Sequence, residues 1–140
     1  PPADYVCAGD AQLLIHLLHN LLANACKYTP AGSPLDLRLE RTGDRLHCSV
    51  RDHGSGVAAE ELPLLFERFY RSARSHGSEG TGLGLYLARA IARLHGGDLN
   101  AFLPPDGGLA FTLSLPVLDK NRDGISQDIA QACSTAESER

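Results

Sequence analysis

The chain has 140 residues, 43% of them apolar and 21% charged, and a net charge of −4. That length fits one domain with a real core, and the acidic balance excludes the broad basic footprint of a nucleic-acid binder. The four cysteines, Cys7, Cys26, Cys48 and Cys133, make neither a CxxC pair nor a zinc-ligand pattern; Cys26 and Cys48 lie in apolar-rich segments and read as buried free thiols, which suits a reducing, cytoplasmic compartment.

The sequence opens on Pro1-Pro2-Ala3-Asp4 without an initiator Met, as a piece cut from a longer protein would. No signal peptide and no apolar run long enough to span a bilayer follows. Residues 10–29, DAQLLIHLLHNLLANACKYT, are predicted to form a helix, with Asp10 as N-cap and Pro30 as its stop. Leu14, Leu17, Leu18, Leu21, Leu22 and Ala25 make its apolar stripe. LDLRLER (35–41) and RLHCSVRD (45–52) alternate as half-buried strands, joined by a turn at Gly43-Asp44. AEELPLLFERF (59–69) reads as a short helix, and the polar, glycine-rich stretch 71–82 as a mobile loop. Residues 83–95 form an amphipathic helix ended by Gly96-Gly97. DLNAFLP (98–104) and LAFTLSLPV (109–117) make a second hairpin across Pro105-Asp106-Gly107-Gly108. Residues 119–140 are polar and are expected to be a disordered tail. Hairpins alternating with helices predict an α+β fold, with a mostly antiparallel sheet and helices on one face.

Three stretches carry chemistry. On the first helix His16, Asn20, Asn24 and Lys27 share one stripe beside the apolar face. Asn oxygens suit a hard cation and Lys suits phosphate, although the stripe alone fits a solvated helix face equally well. In RDHGSGV (51–57), Asp52 ends a strand beside Gly54 and Gly56, where a carboxylate can accept from a ligand amine; an ordinary strand-to-loop turn has the same pattern. In EGTGLGL (79–85), Gly80, Gly82 and Gly84 precede a helix, exposing backbone amides and a helix N-terminus suited to phosphate, with the Thr81 hydroxyl to add. The stretch has neither the GK[ST] of a P-loop nor GxGxxG spacing.

In order, NLLANACKYTP, DHGSGV, LFERFYR and GTGLGL resemble the N, G1, F and G2 boxes of sensor histidine kinases, which define the catalytic ATP-binding domain of the GHKL superfamily. The resemblance covers about residues 4–118. It implies a Bergerat-type fold, a two-layer α/β sandwich whose mixed, largely antiparallel sheet packs on three helices. It implies one domain over 1–118, with 119–140 as the tail. ATP and Mg²⁺ would be bound: Asn24 on the metal with Asn20 in support, Lys27 near the phosphates, and Tyr28 as a wall of the nucleotide site. Asp52 would accept from the adenine amino group, with Gly54 and Gly56 passing close to the base. Phe66 and Phe69 would anchor a lid over 71–82 by burying aromatic surface. Arg71 and Arg74 would reach phosphate, while Gly80, Thr81, Gly82, Leu83 and Gly84 would contact phosphate and hinge the lid.

Hydrolysing members of the superfamily carry Glu one turn before the metal-binding Asn. Asn20 stands at that place, and an amide takes no proton at neutral pH. The resemblance therefore implies γ-phosphoryl transfer to a histidine rather than to water. None of the six histidines lies in the acceptor context of the family. The acceptor is expected on an upstream dimerisation domain, with a response regulator as partner, in a homodimeric, inner-membrane sensor of which this chain is a monomeric cytoplasmic piece. The alternatives are a nucleotide-sensing or degenerate regulatory module and a GHKL serine kinase of the anti-sigma type. His95 reads as structural. DKNRDG (119–124) imitates the start of a calcium loop, but its twelfth position is Ala130, where calcium needs Glu.

Overall fold

A computed structural model of the chain describes residues 7–71 and 82–118. Helix α1 spans Ala11–Lys27. The Asp10 carboxylate caps it as expected, accepting from the amides of Gln12 at 2.9 Å and Leu13 at 3.2 Å. Past its last turn the Thr29 hydroxyl donates to the Ala25 carbonyl, one of the acceptors a helix end leaves over. Leu17, Leu21 and Ala25 are fully buried, and Leu14, Leu18 and Leu22 pack around them. Cys26, expected inside, is exposed. It lies nine residues beyond Leu17, which at about 100° per residue puts it on the opposite side of the helix. Cys48 is half-buried, and burial pushes its thiol above the usual range.

Strands β1 (Asp36–Thr42) and β2 (Arg45–Arg51) form the first hairpin, turning at Gly43-Asp44. β3 (Asp98–Phe102) and β4 (Ala110–Pro116) form the second. β4 pairs with β2, giving the order β1-β2-β4-β3, and every pairing is antiparallel among the described residues. Helix α2 (Gly84–Leu94) lies over β3 and β4, and α1 packs between α2 and β2. The core fills the space between: Leu17 and Leu21 from α1, Ala88 and Ala92 from α2, and Val50, Leu99, Phe111 and Leu113 from the sheet. The α+β sandwich is thus the expected one. Its parallel component has no counterpart in the described residues.

Two elements differ from expectation. Residues 59–69 do not form an α-helix; Ala59–Leu64 is a 3₁₀-helix with Pro63 inside it, followed by turns. Proline lacks the amide that an α-helix would use and collides with the carbonyl four residues back. β1 is exposed along its whole length rather than half-buried. Leu37 and Leu39 stand opposite Val50 and Cys48 on the face that carries the core, yet they are 63% and 54% exposed, because the helix layer covers β2, β4 and β3 and stops short of the edge strand.

Two polar ties hold helices to their surroundings. His95 closes α2 with Nδ1 2.7 Å from the Ile91 carbonyl, while its Nε2 accepts from the Asp10 amide at 3.0 Å. His95 is structural, as expected, and it joins the end of one helix to the start of the other. Asp98, at the start of β3, accepts on Oδ1 from Arg93 Nε at 3.2 Å, Arg89 Nε at 3.4 Å and the Leu99 amide at 2.9 Å. Partial burial pushes the Asp98 carboxyl up, but the Leu99 amide and the two guanidiniums outweigh it and hold it below its ordinary value of 3.8. A carboxyl depressed in the folded state stabilises fully above its unfolded value, and that contribution is lost as pH falls through the folded value. Replacing Asp98 by Asn is therefore expected to lower stability at neutral pH. The gap from the parent should close as urea melts are taken below about pH 4, the unfolded range of an aspartate; an equal gap at pH 7 and pH 3 would contradict this.

Candidate functional site

The expected site residues that are described lie where α1 ends, β2 ends and α2 begins. Asn20 and Asn24 are half-buried on α1, while His16 and Lys27 on the same stripe are exposed. Asn20 Nδ2 lies 3.4 Å from the Gly84 carbonyl, which ties the stripe to the first turn of α2. Lys27 Nζ stands 5.5 Å from the centroid of the Tyr28 ring, a cation–π distance. A side chain at Gly54 would collide with the Tyr28 carbonyl. The turn after β2 thus runs directly against the end of α1.

Asp52 is the only buried charged residue among those described, at 1% exposure. It sits where β2 leaves the sheet. Its backbone amide donates to the Leu109 carbonyl at 3.0 Å, and its Oδ1 accepts from the amides of Gly54 at 3.0 Å and Leu109 at 3.2 Å. Burying a carboxylate is costly unless hydrogen bonds satisfy it, and these two amides also fix which way it points. Glycines make the fit possible. A side chain at Gly108 would strike the Asp52 carbonyl, and Gly108 has a φ of +80°. Gly56, at φ +70°, passes so close to the Gly108 carbonyl that a Cβ would lie 2.9 Å from it. Gly108 and Leu109 border the candidate site, whereas the sequence reading assigned them only to a hairpin, Gly108 to its turn and Leu109 to its second strand. Their one signal was a glycine pair next to a strand, which any turn can show.

The segment after the 3₁₀-helix leads to α2. Phe66 is buried and meets Phe111 edge to face, with centroids 6.1 Å apart. Phe69, expected to bury its ring, is 65% exposed and has a left-handed φ of 64°. Its backbone is what the structure uses: the Phe69 amide donates to the Gly82 carbonyl at 3.0 Å, and a Cβ on Gly82 would lie 2.7 Å from the Phe69 carbonyl carbon. A non-glycine residue in that region costs on the order of 1–2 kcal/mol, so Phe69 is held there by its surroundings. Tyr70 next donates to Glu61 Oε1 at 2.8 Å. That hydrogen bond to Glu61, with burial and the Glu61 charge, holds the Tyr70 phenol above its usual range.

Helix α2 then starts at Gly84 behind Leu83, and no side chain among the described residues caps it. Its first-turn amides and the positive end of its dipole are the chemistry that binds phosphate. A Cβ on Gly84 would merely touch Asn20 Oδ1 at 4.0 Å, so packing does not require glycine there. Arg71 is exposed. Arg74, Gly80 and Thr81, with the rest of the expected lid, lie outside the described residues, as does the tail from 119. His53, beside Asp52, turns its Nε2 to Asp36 Oδ2 at 2.8 Å and so pairs with the edge strand. Among the described residues no group of three or more His, Cys, Asp or Glu side chains could hold a metal. The hard oxygen donors on the site's edge are the amides of Asn20 and Asn24.

Residues 9–119 match the model of the family described as histidine kinase-, DNA gyrase B-, and HSP90-like ATPase. The chain is 39% identical over 119 residues to the sensor-like histidine kinase SenX3 of Mycobacterium bovis, covering 84% of this chain and 29% of that protein. It is 42% identical over 108 residues to the signal transduction histidine-protein kinase AfsQ2 of Streptomyces coelicolor, covering 76% of this chain and 20% of that one. It therefore spans less than a third of these relatives' length. Among solved structures, the mycobacterial sensor histidine kinase MprB superposes with a TM-score of 0.76 at 31% identity, covering 81% of this chain and 78% of that one. The ATP-binding domain of PrrB from Mycobacterium tuberculosis superposes at 0.65 with 29% identity, covering 85% and 77%.

The close approach of Gly108 to Asp52 has a direct consequence. Gly108→Ala places a Cβ into the Asp52 carbonyl at a positive φ and is expected to destabilise the fold by roughly 1–3 kcal/mol. Chemical denaturation reads the loss; a variant as stable as the parent would show that the two turns are not packed as described.

Proposed function

Because the chain belongs to the histidine kinase-, DNA gyrase B-, and HSP90-like ATPase family, we propose that it is the ATP-binding catalytic part of a two-component sensor histidine kinase. The observation that carries this reading is the buried Asp52, held by two backbone amides at the end of β2 and flanked by the end of α1. A fixed carboxylate is an acceptor for the exocyclic amine of adenine, which guanine lacks at the same ring position. Tyr28, Gly54 and Gly56 would border the base. Lys27, Arg71 and Arg74, with the amides of the stretch Gly80–Gly84, would take the phosphates.

The residues present fit Mg²⁺. It is a hard ion that keeps several waters and is usually held by few protein groups together with substrate phosphates. Asn24 would supply the protein oxygen and Asn20 would support it. Bound there, Mg²⁺ would neutralise charge on the phosphates. The side chains do the rest: they orient the nucleotide and leave water without a base, since Asn20 cannot take its proton. The γ-phosphoryl would then pass to a histidine presented by a dimerisation domain of the whole protein, and from there to a response regulator. The relatives matched over this stretch are sensor kinases, which favours this reading over a purely regulatory module or a serine kinase. No helix among the described residues is long and apolar enough to cross a membrane; the chain would be the cytoplasmic part of an inner-membrane sensor.

Two substitutions test the assignments. In Asp52→Asn the amide oxygen can keep both backbone bonds, but the charge is gone and the second atom becomes a donor. Loss of a charge-assisted bond, about 1.5–3 kcal/mol, predicts ATP binding weaker by roughly ten- to a hundredfold in a calorimetric titration. Unchanged affinity would remove Asp52 from the pocket. Asn24→Ala is expected to abolish the gain in ATP affinity on adding Mg²⁺ while the far-ultraviolet circular dichroism stays that of the parent. A variant that still responds fully to Mg²⁺ would remove Asn24 from the metal site.

A further inference from the structure

A concavity lies against α2, and Asp52 is not among its lining residues. It has a volume of about 410 Å³ and runs between α2 and the turn that follows the 3₁₀-helix. Its apolar and aromatic lining residues are Pro63, Phe66, Tyr86 and Ala90. Its walls are cationic. Among the described lining residues, Arg68, Arg89 and Arg93 stand against one acidic side chain, Glu67.

The three guanidiniums are held in different ways. Arg89 lies over the Phe66 ring, 4.6 Å from its centroid, and Arg68 lies 5.4 Å from that of Tyr86 and 5.7 Å from that of Phe69. Arg89 and Arg93 both direct Nε to the same oxygen, Asp98 Oδ1. One carboxylate thus answers two cations. Arg68 makes no ion pair among the described residues, and Glu67 forms none with any of the three arginines. Among the described residues, three guanidiniums face Glu67 and Asp98, a local excess of positive charge on a chain whose net charge is −4. Stacked guanidiniums are pre-organised, and their remaining N–H edges match carboxylates in paired geometry.

The geometry points to this groove as a docking site for an acidic segment of a partner protein, in which one apolar side chain sits on Phe66, Ala90 and Tyr86 and flanking carboxylates reach Arg68, Arg89 and Arg93. The volume suits a few side chains rather than a whole helix, and lies within the range of pockets that hold small ligands. The charge excess selects acidic sequences, and the aromatic lining selects an apolar anchor. A nucleic acid fits less well, because the acidic remainder of the chain would repel a long polyanion.

The test titrates the chain with a short fluorescein-labelled peptide carrying glutamates on either side of a single leucine, read by anisotropy. Controls replace the glutamates by lysine or the leucine by glycine. Two variants leave the Asp98 tie intact: Arg68→Ala removes the guanidinium that has no acidic partner among the described residues, and Ala90→Glu puts a carboxylate into the groove lining at an exposed helix position. Saturable binding of the acidic peptide is expected, weaker by tenfold or more for each variant and each control peptide, with ATP affinity unchanged. No binding by the parent, or equal binding by parent and both variants, overturns the proposal. Displacement by inorganic pyrophosphate, with no preference for the leucine peptide over its glycine control, would also overturn it and assign the groove to a phosphate ligand.

Discussion

A carboxylate almost wholly removed from water is the constraint on which the site depends. Asp52 follows β2, and its Oδ1 takes two amides, one from its own turn at Gly54 and one from Leu109 just before the last strand. Those bonds join the two hairpins at the edge where α1 ends. Each neighbour must come in bare: Gly54 against the Tyr28 carbonyl, Gly108 against the Asp52 carbonyl, Gly56 against the Gly108 carbonyl. The glycines cost conformational entropy in the unfolded chain. What they secure is an acceptor whose direction is fixed before any ligand arrives, which spares the reorganisation that weakens binding by flexible groups.

The two helices carry the rest of the edge. α1 buries Leu17 and Leu21 against the sheet, and the same rotation turns Asn20, Asn24 and Lys27 to its rim. α2 buries Ala88 and Ala92, and its start lies beside Asn20. The Phe69–Gly82 backbone bond then ties the turns after the 3₁₀-helix to the approach of α2. Packing thus sets the phase of each helix, and the phase sets which polar groups meet.

Much of this was legible in the sequence because it follows from periodicity and local chemistry. The six apolar residues of α1 recur at helical spacing, Asp10 caps where a cap is needed, and Gly43-Asp44 turns a hairpin. The misreadings have a common cause in tertiary context. Cys26 has apolar neighbours in sequence, but helical phase puts it in water. Leu37 and Leu39 alternate as core residues do, but burial depends on how far the helix layer reaches. Phe69 is aromatic, but its left-handed backbone turns the ring out. Pro63 was visible and should have argued against an α-helix over 59–69. In the site, Asp52, Gly54 and Gly56 were legible as a short motif. Gly108 and Leu109 were not, because their role comes from a contact more than fifty residues away in sequence.

The central claim is that Asp52 reads the amine of adenine. Calorimetric titration of the chain with ATP and, side by side, with GTP tests it most directly, since the two share their phosphates and differ at the group that meets the carboxylate. GTP places an oxygen acceptor where ATP has a donor. Saturable ATP binding with GTP weaker by tenfold or more is the predicted result. Equal affinity for the two nucleotides would contradict it, and would mean that the pocket holds phosphate without reading the base.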